Sequence, residues 1–148
     1  VRSGLDTTEK SYPQKRKTTD MKQAVQSPLP AIDAPLEWAV TADGIFYAAL
    51  IATRLDGSMD TGDIRSQTTQ TLENLKLCLE AANGSMDDVT QILIYLTNRS
   101  DAKVMNEVYA QYFRKPYPNR ATAVVSELLM PGCIVEMVVY AHIGSSKR

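Results

Sequence analysis

The sequence predicts a two-layer α+β domain in which two helices cover one face of a single mixed β-sheet. Two amphipathic stretches, with apolar residues at every third or fourth position, predict the helices. Runs rich in β-branched and aromatic residues before, between and after these stretches predict the strands. The resulting order, β-β-α-β-α-β-β, is typical of a domain whose helices pack on one side of one sheet.

Length, composition and charge restrict the classes of protein that fit this chain. It has 148 residues, of which 44% are hydrophobic and 22% charged, as in a single globular domain. The formal net charge of −1 provides no overall positive field to attract nucleic acid or an anionic lipid surface. The longest mostly apolar run, 45–52, is much shorter than the roughly 20 residues of a membrane-spanning helix. We therefore expect no membrane partner, and a nucleic-acid partner is unexpected unless a local basic patch provides the contact.

The cysteines and the missing motifs exclude several kinds of site. Cys78 and Cys133 show no CxxC spacing and no neighbouring histidine, so we expect no zinc site, no disulfide framework and a reducing, cytoplasmic compartment. The sequence contains no GxGxxG, P-loop, GxSxG or HExxH motif. This argues against dinucleotide, nucleoside triphosphate, serine hydrolase and zinc protease sites. The single histidine, His142, has no catalytic partner at a recognisable spacing.

Local signals place the elements along the chain. Residues 38–50 read as a hairpin, because Asp43-Gly44 lies between two apolar strands. Helical periodicity covers 64–82 and ends at Asn83-Gly84. A second helix is predicted to end before Pro116, and the residues of its apolar stripe are Ala102, Met105, Val108, Tyr109, Tyr112 and Phe113. The remaining strands are predicted over 89–96, 121–127 and 134–142.

Residues 1–34 are predicted to form an irregular arm that precedes a single domain at 35–148. The arm mixes basic residues with serine, threonine and proline, without apolar periodicity. The chain begins at Val1 and its first methionine is Met21, an arrangement that a vector-derived extension would explain. A solvated tail is the simplest interpretation of the arm. Its Lys15-Arg16-Lys17 cluster leaves a contact with RNA or with a partner protein open.

Two charged residues stand out against apolar strands. Arg120 lies at the entry to a predicted strand, where a guanidinium can bind a carboxylate through two parallel hydrogen bonds. Glu136 lies inside the last apolar strand, and a carboxylate is costly to bury without a partner. We therefore expect Glu136 to face a polar pocket, a subunit interface or Arg120 itself. A structural ion pair and a functional role are both compatible with this pattern.

Several sequence segments, in order, resemble the RidA/YjgF family of imine deaminases. The characteristic helix and following turn correspond to NLK at 74–76 and LEAANGSMDDV at 79–89. The second helix and the strand after it correspond to MNEVYAQYF at 105–113 and PNRAT at 118–122. The start of the domain corresponds to APLEWAV at 34–40. The resemblance covers nearly all of the chain from Pro35 to His142.

The resemblance implies a fold, an assembly and a reaction. The fold is chorismate-mutase-like, and three chains assemble as a homotrimer with clefts between subunits. Members of the family hydrolyse enamines and imines that carry a carboxylate, giving a keto acid and ammonia. By resemblance, Arg120 binds the substrate carboxylate and Glu136 orients the attacking water. The implied partners are a small enamine, imine or keto acid and other copies of the chain, and no metal or organic cofactor is implied.

Four positions depart from the family pattern and are expected to line the substrate cleft. Leu36 stands where the deaminases have a tyrosine, Ala49 and Leu50 stand in place of a Ser-Gly pair, and Thr122 replaces a cysteine. These exchanges make the cleft more apolar and remove hydroxyl groups that orient a small substrate. They favour a pathway-specific deaminase. The alternative is a module of the same fold that binds a small carboxylate, or makes protein contacts, without catalysis. The resemblance also brings with it the ribonuclease activity ascribed to some relatives, but the net charge of −1 and the single histidine argue against that activity.

Overall fold

The computed structural model describes residues 21–144, and within them two helices pack on one six-stranded sheet. The arm residues 1–20, including Lys15-Arg16-Lys17, and the last four residues lie outside the described part. The elements in chain order are β1 (Gln23–Ala24), β2 (Ala39–Ala42), β3 (Ile45–Leu50), α1 (Ile64–Ala81), β4 (Val89–Leu96), α2 (Ala102–Tyr112), β5 (Asn119–Val124) and β6 (Val135–His142).

The sheet is mixed, in the order β1-β2-β3-β6-β4-β5. β4 and β5 are parallel and are joined through α2, whereas every other neighbouring pair is antiparallel. This connection is a βαβ crossover, which places α2 on the same side of the sheet as α1. The structure confirms the predicted α+β class and the predicted order of the elements, with β1 as an addition. Within residues 21–144, no helix is long and apolar enough to cross a membrane.

The unpredicted strand β1 lies in the segment expected to be irregular. Gln23 and Ala24 pair with the first hairpin strand, β2. Downstream of β1, Leu29 enters the core with 8% of its surface exposed, and the Trp38 indole Nε1 donates a hydrogen bond to the Pro30 carbonyl at 2.8 Å. A strand of two residues is too short to show alternation, so the sequence carries no signal for it.

Alternation along the strands separates a helix-covered face from an open face of the sheet. In β6, Val135, Met137 and Val139 are buried beneath the helices. The side chains between them point to the opposite side, because successive residues of a strand face opposite ways. We call this opposite side the open face. On the central strands it carries residues that are half-buried or exposed in the single chain, and these are Tyr47, Ala49, Leu93, Tyr95, Glu136, Val138 and Tyr140.

Two buried amides on α1 hold the ends of neighbouring strands. Gln67, which is fully buried, donates through Nε2 to the Gly132 carbonyl at 2.8 Å and accepts through Oε1 from the Ile134 amide at 3.0 Å. Asn74, also fully buried, donates to the Ile51 carbonyl at 3.0 Å and to the Thr53 carbonyl at 2.8 Å. These bonds fix the start of β6 and the chain that leaves β3, the two strands that flank the candidate site.

The substitution Gln67→Leu is expected to lower the free energy of unfolding by about 2 kcal/mol, because it leaves partly buried backbone groups before β6 without partners. Urea denaturation at one fixed protein concentration measures this loss. The matched control, Gln111→Leu, makes the same exchange at an exposed position of α2 and should change stability by less than about 0.5 kcal/mol. Equal losses in the two variants would contradict the anchoring role of Gln67.

Candidate functional site

A cavity of about 620 Å³ opens on one side of the sheet, between the segment before β2 and the strands β3 and β6. Leu36 and Ala49, two of the predicted substrate-binding residues, line it together with Val138. Tyr47 and Tyr140 also line it, and their rings meet edge to face with centroids 5.7 Å apart. The walls at Leu36, Ala49 and Val138 carry no side-chain hydrogen-bond donor, so they suit an apolar group of a ligand.

Glu136 lies on the open face of β6, two residues before Val138. Its register partner is Tyr95 of β4. The side chain is half-buried, and within residues 21–144 its carboxylate accepts no hydrogen bond and forms no ion pair. Burial raises the pKa of the Glu136 carboxyl above its ordinary value of 4.5. A carboxylate with a raised pKa and without a partner in the described chain, two residues from Val138 of the cavity wall, is suited to accept a proton from water.

Arg120 lies on β5, an edge strand of the sheet, and all six residues of β5 are exposed. It is in register with Ile92, a core residue that faces the helices, so Arg120 projects on the helix-covered face. Its guanidinium carbon lies 4.8 Å from the centroid of the Tyr109 ring on α2. In the part of the chain that the structure describes, no carboxylate forms an ion pair with Arg120.

The two predicted catalytic residues therefore do not meet within one chain. Arg120 projects toward the helix side of the edge strand, and Glu136 projects from the open face of a central strand. The interpretation of these residues as a structural ion pair within the chain is wrong. Thr122 is in register with the core residue Ile94, so it projects on the same, helix-covered side of β5 as Arg120. The predicted site is thus divided into two half-sites, one with Arg120 and Thr122 and one with Glu136, Leu36 and Ala49.

The expectation that Leu50 lines the cleft is corrected by the structure. Leu50 is fully buried, lies in register with Met137 and faces the helices. Ala49 and Leu50 are consecutive residues of β3, so their side chains point to opposite faces of the sheet. Of these two residues, only Ala49 presents its side chain to the cavity.

Comparison with known proteins identifies the family. Residues 26–143 match the family described as Endoribonuclease L-PSP. This chain belongs to that family, the RidA/YjgF family. A RutC family protein of Pyrococcus horikoshii is 47% identical over 72 residues, which are 49% of this chain and 57% of that protein. The match therefore spans little more than half the length of this relative.

Solved structures of RidA/YjgF proteins share the fold over most of the chain. A Rid family protein of unknown function from Yersinia pestis is 32% identical, with a TM-score of 0.78, over 82% of this chain and 99% of that one. RidA from an Antarctic Psychrobacter is 31% identical, with a TM-score of 0.76, over 82% of this chain and 99% of that one. The sheet with two helices on one face is thus the fold of the family.

The edge of the sheet at β5 combines unpaired backbone with exposed apolar side chains. β5 is the last strand, so its outer backbone groups have no neighbouring strand within the described chain. Large apolar residues are exposed on or near it, namely Tyr117, Val124, Leu129 and Met130, and Leu129 exposes its whole side chain. Exposed edges and contiguous apolar patches mark contact surfaces. This family member therefore presents Arg120 and Thr122 beside a surface suited to contact with another chain.

Sequence reasoning missed the contact between Arg120 and Tyr109. It placed Tyr109 on the apolar stripe of the second helix, which the structure confirms, since only 6% of the residue is exposed. The crossover from α2 to β5 brings the two residues together although they are eleven positions apart in the chain. The signal that could have found the pair is the parallel register of β5 against β4, because that register decides which side of the edge strand Arg120 occupies.

Among residues 21–144, no cluster of histidine, cysteine, aspartate and glutamate could hold a metal ion. Cys78 and Cys133 are both buried and unpaired, and burial raises the pKa of both thiols. A buried thiol with a raised pKa is a weak nucleophile. The groups of the candidate site are therefore Arg120, Thr122 and Glu136, with the cavity that Leu36 and Ala49 help to line.

Proposed function

We propose that this chain is a cytoplasmic hydrolytic deaminase that converts enamines or imines bearing a carboxylate into a keto acid and ammonia. Membership of the RidA/YjgF family supports the reaction class. The observation that carries the proposal is the state of Arg120, an exposed guanidinium held against an aromatic ring and without a carboxylate partner among the described residues. Such a group is available to bind a carboxylate through two parallel hydrogen bonds.

The active cleft is proposed to form between two subunits of a homotrimer. One subunit supplies Arg120 and Thr122 from its edge strand, and its neighbour supplies Glu136 and the cavity lined by Leu36 and Ala49. Two observations support this arrangement: the residues lie on opposite faces within one chain, and the β5 edge carries exposed apolar side chains. Cyclic symmetry repeats the contact, so three chains make three equivalent clefts.

The proposed reaction needs water and two side chains. Arg120 holds the substrate carboxylate and thereby fixes the position of the adjacent C=N carbon. Glu136, in its carboxylate form, accepts a proton from the water molecule that attacks this carbon and passes it to the nitrogen as the C=N double bond becomes single, which gives a carbinolamine. Glu136 then takes the remaining hydroxyl proton of the carbinolamine and delivers it to the same nitrogen. As the C–N bond breaks, the C=O bond of the keto acid forms, ammonia leaves, and Glu136 returns to its carboxylate form.

The test generates 2-imino acids in the assay from amino acids with an amino-acid oxidase. Release of ammonia and keto acid is then compared with and without this protein. The proposal predicts acceleration over spontaneous hydrolysis. The apolar walls at Leu36 and Ala49 predict larger acceleration for imines with a bulky apolar side chain than for the imine of alanine. No acceleration with any imine, from a protein of verified trimeric mass, would contradict the deaminase assignment.

The raised pKa of Glu136 predicts the pH dependence of the reaction. Because the carboxylate form activates water, kcat/KM rises with pH through the pKa of Glu136, and its acidic limb is expected to lie above pH 4.5. Profiles between about pH 4 and pH 8, corrected for spontaneous hydrolysis at each pH, measure the limb. An acidic limb at or below pH 4.5 would show that burial does not control this carboxyl in the assembled cleft.

A module that binds a small carboxylate without catalysis is the second candidate function. The absence of side-chain hydrogen-bond donors at Leu36 and Ala49 favours it, because a small substrate has fewer groups to orient it there. A ligand that binds only the native state raises the melting temperature. This alternative predicts that 2-keto acids stabilise the protein in thermal melts while no imine releases ammonia faster than its spontaneous rate.

A further inference from the structure

The aromatic side chain beneath Arg120 is part of a packed stack. Tyr109 lies on α2 with 6% of its surface exposed. Its ring contacts Phe113, with centroids 4.5 Å apart and planes inclined by 35°. A second neighbour of the ring is the Arg120 guanidinium, whose central carbon lies 4.8 Å from the ring centroid. Phe113, itself 8% exposed, thus backs the ring that supports an exposed cation.

The Tyr109 hydroxyl does not explain why a tyrosine occupies this position. It is buried and has no hydrogen-bond partner within residues 21–144. Burial raises the pKa of the Tyr109 phenol, and the charge of Arg120 offsets only part of that effect. The phenol is therefore neutral at physiological pH, and it is no anionic partner for the arginine. The contact between the two residues is made by the ring.

We propose that Tyr109 is a positioning residue, whose ring holds the Arg120 guanidinium in the orientation that binds the substrate carboxylate. This inference rests on the proposed function. A guanidinium is planar and its N–H donors lie in its plane. Contact with an aromatic ring uses the face of the group and leaves the edge donors available for two parallel hydrogen bonds.

The physical gain is preorganisation. Arg120 stands on an edge strand whose residues are all exposed, and without support its long side chain would sample many rotamers. Binding a carboxylate would then restrict the side chain to one rotamer, and the lost conformational entropy would weaken the affinity. A ring that already holds the guanidinium removes part of this loss. Its effect is expected on substrate binding and much less on the chemical step.

The test compares Tyr109→Leu, which removes the ring, with Tyr109→Phe, which removes only the unpartnered hydroxyl. The readouts are KM and kcat for a 2-imino acid and the dissociation constant of 2-oxobutanoate. For Tyr109→Leu we expect KM and the dissociation constant to rise about fivefold, within the range of cation–π contacts, with kcat changed less than about twofold. Tyr109→Phe should keep both constants within about twofold of the wild type.

Controls separate this effect from a general loss of packing. Tyr112→Leu makes the same exchange on the same helix, where the tyrosine hydroxyl donates to Glu73 at 2.7 Å, and it should leave the dissociation constant unchanged. If Tyr109→Leu does not fold, Tyr109→Met replaces the ring with a longer, flexible apolar chain that can adapt to the site, and it is expected to show the same rise. The inference would be overturned if the folded Tyr109→Leu or Tyr109→Met protein bound 2-oxobutanoate as tightly as the wild type. It would also be overturned if Tyr109→Phe weakened binding as much as the variants that lack the ring.

The Arg120→Ala variant distinguishes failure of this inference from failure of the proposed function. If Arg120→Ala weakens 2-oxobutanoate binding and the ring-free variant does not, the carboxylate site stands and the role of Tyr109 is refuted. If the wild type neither binds 2-oxobutanoate nor accelerates imine hydrolysis, the proposed function fails, and the positioning role fails with it.

Discussion

The substitution Arg120→Ala is expected to lower kcat/KM for a 2-imino acid by at least about 100-fold, equivalent to roughly 3 kcal/mol of transition-state stabilisation. The guanidinium is the group that would hold the substrate carboxylate, and alanine leaves no donor in its place. Because the carboxylate also fixes the reacting carbon, both KM and kcat should suffer. Steady-state release of ammonia at equal trimer concentration measures the loss.

Two further variants make the result for Arg120 specific. Arg120→Lys keeps the charge and loses the planar pair of donors, so it is expected to recover only a small part of the activity. Arg114→Ala removes another exposed arginine, which forms an ion pair with Asp87, and it should retain wild-type turnover. A folded, trimeric Arg120→Ala protein with full activity would refute the assignment of Arg120 as the carboxylate-binding residue.

The substitution Glu136→Gln is expected to lower kcat by about 100- to 1,000-fold with little change in KM, because it removes the base and preserves the shape of the side chain. The same variant should still bind 2-oxobutanoate, since Arg120 is intact. Single-turnover measurements would place the loss in the chemical step.

Glu127→Gln is the matched control for this prediction. Glu127 is an exposed carboxylate in the connection after β5, outside both half-sites, so the same exchange there should leave kcat unchanged. A Glu136→Gln protein that hydrolyses imines at the wild-type rate would show that another group, or solvent alone, activates the water.

The long helices and strands of this domain are predictable from the sequence because apolar residues recur in each of them at the spacing of a helix or of a strand. The apolar stripe over 64–82 and the Asp43-Gly44 turn need no tertiary information, and the structure confirms both. β1 is different, because two residues cannot display a period. Its pairing with β2 follows from the path of the chain toward Leu29 and the core. Whether so short a strand forms therefore depends on tertiary structure alone.

The sequence shows which residue types are present at the candidate site. Their arrangement depends on the face of the strand on which each residue lies and on the register between strands. Ala49 and Leu50 were predicted together, and alternation sends one to the cavity and the other to the core. Arg120 and Glu136 were predicted to share a site, and their strands turn them to opposite faces of one sheet. Sequence patterns identify the groups, and strand register then shows that one chain does not bring them together.

Complementation between two inactive variants tests most directly whether the cleft is shared between subunits. Arg120→Ala and Glu136→Gln proteins are unfolded together in equal amounts and refolded as mixed trimers. In random mixtures, about one cleft in four combines an intact Arg120 from one subunit with an intact Glu136 from its neighbour, so activity should recover to about a quarter of the wild-type level. No recovery, from mixed trimers verified by mass, would show that each chain must supply both residues itself.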